Sequence, residues 1–388
     1  MPDKSKRIRT RAKVCILQQL VPAHRLEFFA RLKQTLGERN IELVLLYDTP
    51  VETRWSLREG VEVPFGVRIQ NRYLPIGRKR ALCWQPCLRH LRGADLVIVE
   101  QATRMLVNYV LLAQQMLGLR KLAFWGHGKK LDTDQAIRWA ERIKRWMSRK
   151  VAWWFAYNEL SANIVRSLGF PGERITCVQN TIDTKSLIQA RQAISNDELE
   201  ALRKGIGLTG RNVGLFSGTM YPAKRIGFLL DSARRIRKAV PDFEMLFLGD
   251  GLDNSLVKSA VKTDPWIHYM GPKHETEKVP YWMLAKVLLV PGVVGLVIVD
   301  AFALEVPLVT TDVTGHGPEI DYLRDGVNGI MVRTNDDPGR YASVVADLLK
   351  NEPKRRHLIV GCEASQQTYT LDNMVNRFTE GIQQSLMQ

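Results

Sequence analysis

The sequence predicts an α/β protein built from two doubly wound domains, and three observations predict it. Short apolar runs such as Val287–Val290 and Leu308–Thr311 have the length and composition of strands buried on both faces. They alternate along the chain with segments of helical period. Glycine-bearing turns close them, as in Gly249-Asp250-Gly251, Pro291-Gly292 and Thr314-Gly315-His316-Gly317. At 388 residues the chain is long for one core, so the alternation is read as two domains.

In the first half, strands are expected over residues 12–17, 41–47, 95–100, 121–125, 152–157 and 175–179. Helices fall between them at 26–36, 105–117, 134–150 and 159–168. Residues 48–93 are rich in Arg, Pro and Gly, with short strands near 66–74 and a basic helix around Leu88. The helix at 134–150 admits two readings. Its Arg and Lys residues among Trp139, Trp146 and Met147 suit a membrane interface, while Trp139, Ile143, Trp146 and Met147 equally make a core-facing stripe. A polar linker, with room for a short helix, is expected over 184–209.

The second half restarts with a strand at 212–216, a loop at 217–222 and a long helix at 224–240. Strands at 243–248 and 267–269 alternate with helices at 255–262 and 279–285. The strand Val287–Val290 is followed by Gly295, a helix over 296–305 stopped by Pro307, the strand Leu308–Thr311 and a loop that enters another helix at Pro318. Only helices are expected after Val332. In such sheets ligands sit beyond the carboxyl ends of the strands, where helix N-termini present free N–H groups, so an anion is the expected guest.

Composition narrows the class. With 45% hydrophobic and 25% charged residues the chain is an ordinary globular protein. Five scattered cysteines argue against a disulfide framework and for a reducing cytoplasm; Cys83 and Cys87 lack a second pair at zinc spacing and are read as structural. The basic N-terminus is not followed by an apolar run of signal-peptide length, and residues 105–117 are too few to span a bilayer. The net charge of +16 is uneven: residues 1–180 hold 32 Lys+Arg against 15 Asp+Glu, and the remainder is near neutral. That asymmetry expects an anionic surface as partner of the first half. Nucleic acid is the weaker choice, since no helix-turn-helix, zinc or RNP-like signature accompanies the charge. The cytoplasmic face of a membrane is the stronger one.

The second half carries, in order, Ser217-Gly218 through Lys224, Gly249-Asp250-Gly251, Gly271, Gly295-Leu296 through Asp300-Ala301, Pro307-Leu308-Val309, and Glu319-Ile320 through Asp325-Gly326-Val327-Asn328-Gly329. These ordered motifs resemble the donor domain of the retaining nucleotide-sugar glycosyltransferases of family 4, or glycosyl transferases group 1. The first half is similar more loosely, through Val21-Pro22 to Arg25, Phe28-Phe29, Trp125-Gly126-His127-Gly128 and Asn180-Thr181-Ile182-Asp183.

The resemblance implies a GT-B architecture, two Rossmann-like domains facing a cleft. An acceptor-binding, membrane-facing domain over 1–183 would be joined by the linker to a nucleotide-sugar donor domain over 210–370. The last helix, 371–388, would cross back to the first domain. Lys224 is similar to the lysine that neutralises the donor diphosphate. Gly218, Thr219, Arg225 and Gly271 line the same site, and the N–H groups of Gly295, Leu296 and Val297 face sugar and phosphates. Asp300 resembles the second acid of an E-x7-E motif that holds ribose hydroxyls, and His127 resembles a histidine that touches the transferred sugar.

The first acid of that motif is absent, because Gly292 stands eight residues before Asp300. This leaves Glu319 or His316 to reach the sugar, and it keeps two readings open: a rearranged sugar pocket and a catalytically impaired sugar-nucleotide or glycan-binding protein. Thr219 stands where the family often has arginine, and Arg225 is the candidate substitute. No cofactor and no metal are expected; Asp132-Thr133-Asp134 matches a metal-binding D-x-D, but its place before a helix reads as a cap. The implied activity is sugar transfer to a glycan or lipid-linked acceptor in surface polysaccharide or lipopolysaccharide synthesis, on the inner membrane face.

Overall fold

A computed structural model describes residues 11–49, 60–76, 80–128, 138–333 and 336–388. The chain divides into two units, Met1–Asn180 with Asp372–Gln388, and Thr181–Leu371.

The first unit runs β1 (Ala12–Leu17), α1 (Leu26–Glu38), β2 (Ile41–Tyr47), β3 (Val67–Arg68), β4 (Arg72–Ile76), β5 (Arg80–Trp84), β6 (Leu96–Glu100), α2 (Leu106–Met116), β7 (Lys121–Gly126), α3 (Arg138–Lys150), β8 (Trp153–Ala156), α4 (Glu159–Ser167) and β9 (Ile175–Cys177). Its described strands form a parallel sheet in the order β3-β2-β1-β6-β7-β8-β9. Burial explains the choice of residues: β8, Trp-Trp-Phe-Ala, is buried throughout, as a strand covered by helices on both faces must be. On α1, Phe28, Phe29, Leu32 and Leu36 share one buried stripe. Asn158 starts α4 by accepting a hydrogen bond from the Ser161 N–H at 3.0 Å.

Between β3 and β6 the structure differs from expectation. Residues 88–93 make successive tight turns instead of a basic helix, with His90 N–H bonded to Cys87 O and Ala94 N–H to Leu91 O. The segment before them is an antiparallel ribbon of β4 and β5, separate from the parallel sheet. The Asp132-Thr133-Asp134 triplet and the start of the expected helix at 134 lie outside the described residues. On α3, Met147 is buried and Trp146 is 47% exposed, with Arg142 and Arg145 also exposed.

The second unit opens with α5 (Thr184–Ala193) and α6 (Asn196–Gly205), where a linker was expected. Both are capped, α5 by Asp183 and α6 by a Ser195–Glu198 capping box. Leu187 sits in the unit's core, and Arg191 forms a two-pronged ion pair with Glu305, so the stretch is part of the unit. There follow β10 (Asn212–Ser217), α7 (Ile226–Ala239), β11 (Phe243–Leu248), α8 (Asn254–Thr263), β12 (Ile267–Gly271), α9 (Val279–Met283), β13 (Val287–Val290), α10 (Val297–Ala303), β14 (Leu308–Thr311), β15 (Gly329–Val332), α11 (Pro338–Lys350) and α12 (Glu352–Thr368). The parallel order β12-β11-β10-β13-β14-β15 is that of a dinucleotide-binding sheet, with the reversal between β10 and β13. One polar side chain interrupts β11. Burial pushes the Glu244 carboxyl up, but the Gly210 and Thr209 N–H groups, the Thr209 hydroxyl and His268 Nε2 at 2.6 Å outweigh it and hold it below the usual range.

The last helix, α13 (Leu371–Met387), belongs from Asp372 onward to the first unit. Its Phe378 stacks on Phe155 at 4.3 Å and meets Trp125 and Phe28 edge-on. Arg25 is buried there, hydrogen-bonded to Asn180 with Met374 Sδ at 3.6 Å.

Candidate active site

Three loops meet at the carboxyl edge of the second sheet, around the reversal between β10 and β13. The loops after β10 and β11 interlock, because Gly218 N–H bonds Leu248 O and Met220 N–H bonds Asp250 O. Gly249, at φ 133°, makes this possible: a Cβ there would overlap the Gly218 carbonyl.

Lys224 closes a single 3-10 turn, Pro222–Lys224, and does not begin the long helix as expected. Arg225 follows in a left-handed conformation, φ 59°, and α7 starts only at Ile226. The kink separates the two cations. Lys224 is buried, its Nζ donates to Val293 O, and burial pushes its pKa down to about 8. Arg225 turns away to pair with Asp336, with its guanidinium 4.1 Å from the Phe228 ring.

The loop after β13 packs directly on that turn. Val293 N–H donates to Ala223 O at 2.9 Å, and a Cβ on Gly292 would overlap Ala223 O and lie 2.5 Å from the Lys224 carbonyl carbon. Gly292 is therefore a close-approach glycine, and this backbone admits no carboxylate-bearing residue there. Two positions on, Val294 N–H donates to His316 Nδ1 at 3.1 Å, while His316 Nε2 lies 2.8 Å from Thr311 O. That arrangement fixes the tautomer with the proton on Nε2. Both ring nitrogens are committed to backbone, so His316 pins the loop, and burial lowers its pKa and keeps it neutral. Glu319, also buried, lies beside the same loop: the Cβ position of Gly317 is 2.8 Å from Glu319 Oε2 and 2.9 Å from Val294 O.

By contrast, a Cβ on Gly295 would meet nothing within 4 Å, and the same holds at Gly271, whose carbonyl accepts from Gly249 N–H. Leu296 and Val297 are half-buried and Thr219 is exposed. Gly295 leads into α10, whose first N–H groups have no partner inside the helix. The helix is only seven residues long, shorter than expected, because Glu305 at φ 58° reverses the chain towards Pro307. Asp300 Oδ1 accepts from Lys278 Nζ at 2.7 Å, both side chains being nearly buried. Lys278 was not anticipated from sequence, where nothing in His274-Glu275-Thr276-Glu277-Lys278 marks it. With Oδ1 held by Lys278, Asp300 keeps the lone pairs of Oδ2 as further acceptor capacity.

The structure thus brings together Lys224, Gly292 to Gly295, His316 and Glu319 at one edge of the second sheet. His127 lies in the first unit, on the loop after β7, edge-on to Tyr157 at 4.2 Å. Gln101 braces that loop, donating to Gly128 O at 3.3 Å and to Ser148 Oγ at 2.9 Å. Among the described residues, no group of three or more His, Cys, Asp or Glu side chains is placed to hold a metal ion.

Residues 211–351 match the family model described as glycosyl transferases group 1. An uncharacterised glycosyltransferase of Methanocaldococcus jannaschii is 29% identical over 155 residues, 38% of this chain and 41% of that protein. Phosphatidyl-myo-inositol mannosyltransferase of Mycobacterium leprae is 26% identical over 147 residues, 37% of this chain and 38% of that protein. These matches span under half the length of either relative. Solved structures cover nearly the whole chain. Anabaena HepE in complex with UDP superposes with a TM-score of 0.71 at 14% identity, covering 96% of this chain and 99% of that one. WaaG, a glycosyltransferase involved in lipopolysaccharide biosynthesis, gives 0.65 at 14% identity, covering 95% and 98%. At that identity the likeness shows the fold, two Rossmann-like domains of GT-B type.

Proposed function

We propose, from the match of residues 211–351 to the glycosyl transferases group 1 model, that the chain transfers a sugar from a nucleoside-diphosphate donor to a glycan or lipid-linked acceptor. The observation that carries the proposal is the meeting of Lys224 with the Gly292–Gly295 loop at the reversal point of the second sheet. A buried ammonium there neutralises the departing diphosphate as the glycosidic bond breaks, and its low dielectric surroundings strengthen that effect. Lys224 and the N–H groups of Gly295, Leu296 and Val297 perform the neutralisation, so the reaction is metal-independent, and family resemblance makes it retaining. Glu319, beside the loop, faces the sugar in place of the acid that Gly292 excludes.

The acceptor belongs to surface polysaccharide or lipopolysaccharide synthesis, and the basic first unit holds the protein at the anionic inner face of the membrane. Lys224→Ala and Asp300→Ala variants assayed against a panel of nucleotide sugars test the assignment; transfer equal to wild type in both would refute it. Gly292 favours a second reading, a sugar-nucleotide or glycan-binding protein without turnover. Calorimetry that finds donor binding, with no product on any acceptor, selects it.

A further inference from the structure

The ribbon β4–β5 has two unlike faces. Its register pairs Tyr73 with Cys83, and at alternate positions Arg72 with Trp84, Leu74 with Leu82 and Ile76 with Arg80. The Tyr73–Cys83 rung faces the unit: Gln19 Nε2 donates to the Tyr73 hydroxyl at 3.0 Å, Cys83 N–H donates to Arg104 O at 2.9 Å, and the Cys83 side chain is buried. Alternation places the neighbouring rungs on the opposite face. There Leu74 is 61% and Ile76 52% exposed, Arg72 is exposed, and Leu82 and Trp84 are half-buried.

A ribbon face turned to water is ordinarily polar. This one places aliphatic side chains and a tryptophan beside an arginine, which is the composition of an element that lies in a membrane interface. The charge of its surroundings agrees. The residues between the strands in sequence are Gly77-Arg78-Lys79, and residues 1–180 carry 32 basic against 15 acidic side chains. An anionic surface complements that excess.

We propose that the β4–β5 ribbon is the lipid-inserting element of this protein, with Leu74 and Ile76 entering the headgroup boundary of an anionic membrane and Arg72 pairing with lipid phosphates. The inference rests on the membrane part of the proposed function and narrows it to one element.

The full chain is sedimented with phosphatidylcholine vesicles with and without phosphatidylglycerol. Wild type pellets with the anionic vesicles at low salt, and Leu74→Asp/Ile76→Asp loses about tenfold or more of that binding. The same variant keeps its circular dichroism and its thermal stabilisation by nucleotide. An environment-sensitive fluorophore on Ile76→Cys, in a Cys177→Ser background, shifts to the blue on anionic vesicles. If wild type fails to pellet, the membrane reading itself falls. If wild type pellets but the double variant pellets equally, or the label at position 76 does not shift, adsorption by charge alone is established and the ribbon is overturned as the inserting element.

Discussion

Gly292 lies backbone to backbone against Lys224, so close that a Cβ would stand 2.6 Å from the Lys224 Cα. The missing acid and the placement of the lysine are thus one feature of the packing. No flexible side chain stands in the way to yield; Gly292→Ala forces the two loops apart, at roughly 1–3 kcal/mol of stability. Because that movement displaces Lys224, donor affinity falls as well. Denaturant midpoints and nucleotide calorimetry measure the two losses. A Gly292→Glu protein of wild-type stability and affinity would show that the loops do not pack this way.

Burial brings the Lys224 pKa down to about 8. A bound diphosphate needs the charged form and raises that pKa, so binding takes up a proton wherever the free lysine has lost one. The donor dissociation constant should be flat below about pH 7.5 and rise by up to about tenfold per unit above pH 8. Lys224→Met binds more weakly throughout and lacks this inflection. Titrations of nucleoside diphosphate across that window, in wild type and variant, check the sign. An inflection that persists in the variant would assign it to another group.

His316 gives the opposite pH sign. Its ring must be neutral to accept from Val294 N–H, and burial lowers its pKa below the ordinary value of 6.5. As pH falls below about 6.5 the unfolded chain takes up the proton first, so the stability this histidine supplies fades on the acid side. His316→Ala should cost roughly 1–3 kcal/mol near pH 7.5, by leaving the Val294 N–H unsatisfied. The difference from wild type should shrink towards pH 5. Urea denaturation of both proteins over that range decides it.

The alternation of buried runs and helices was legible because β8, β11, β13 and β14 are apolar enough to be read without tertiary context. What escaped depends on contacts between residues far apart in sequence. Nothing local shows that Arg225 adopts a left-handed conformation, and that single residue moves Lys224 off the helix and turns the arginine towards Asp336. At Gly292 the sequence shows only that an acid is missing; the Ala223–Lys224 backbone packed against it gives the physical reason. Residues 184–209 read as a linker because their helices are mostly polar; the buried Leu187 and Leu208, the partly buried Ile188, Leu199 and Leu202, and the Arg191–Glu305 pair secure them. Of the ribbon only the start of β4 falls within the short strands expected near 66–74; β5 was missed, because Pro75, Arg72 and Arg80 blur the two-residue period.

Lys278 and Asp300 form a pair largely out of solvent, 2.7 Å apart. Removing either partner leaves the other charge poorly solvated, so Lys278→Met and Asp300→Asn should each cost roughly 1–3 kcal/mol, while the double variant costs less than their sum. A role in holding the donor makes a further demand: Lys278→Arg should restore nucleotide affinity in a way that Lys278→Met does not. Calorimetry on the full set separates the two roles. Unchanged affinity in Lys278→Met would leave the lysine a purely structural counter-ion.

Phe378 reaches the first unit from the far end of the chain, fully buried among Phe28, Trp125 and Phe155. Trp125 in turn meets Tyr157 at 6.0 Å, and Tyr157 meets His127 at 4.2 Å. The terminal helix is thereby connected to the loop that carries His127 through contiguous rings. Phe378→Ala opens a cavity in that cluster and should cost about 3–5 kcal/mol. The loss is local to the first unit. Amide exchange should accelerate in β7, β8 and the 126–128 loop, while β10, β11 and β13 keep their protection and nucleotide affinity holds. If exchange accelerates equally in both units, they unfold as one cooperative body, and the terminal helix stabilises the whole chain through it.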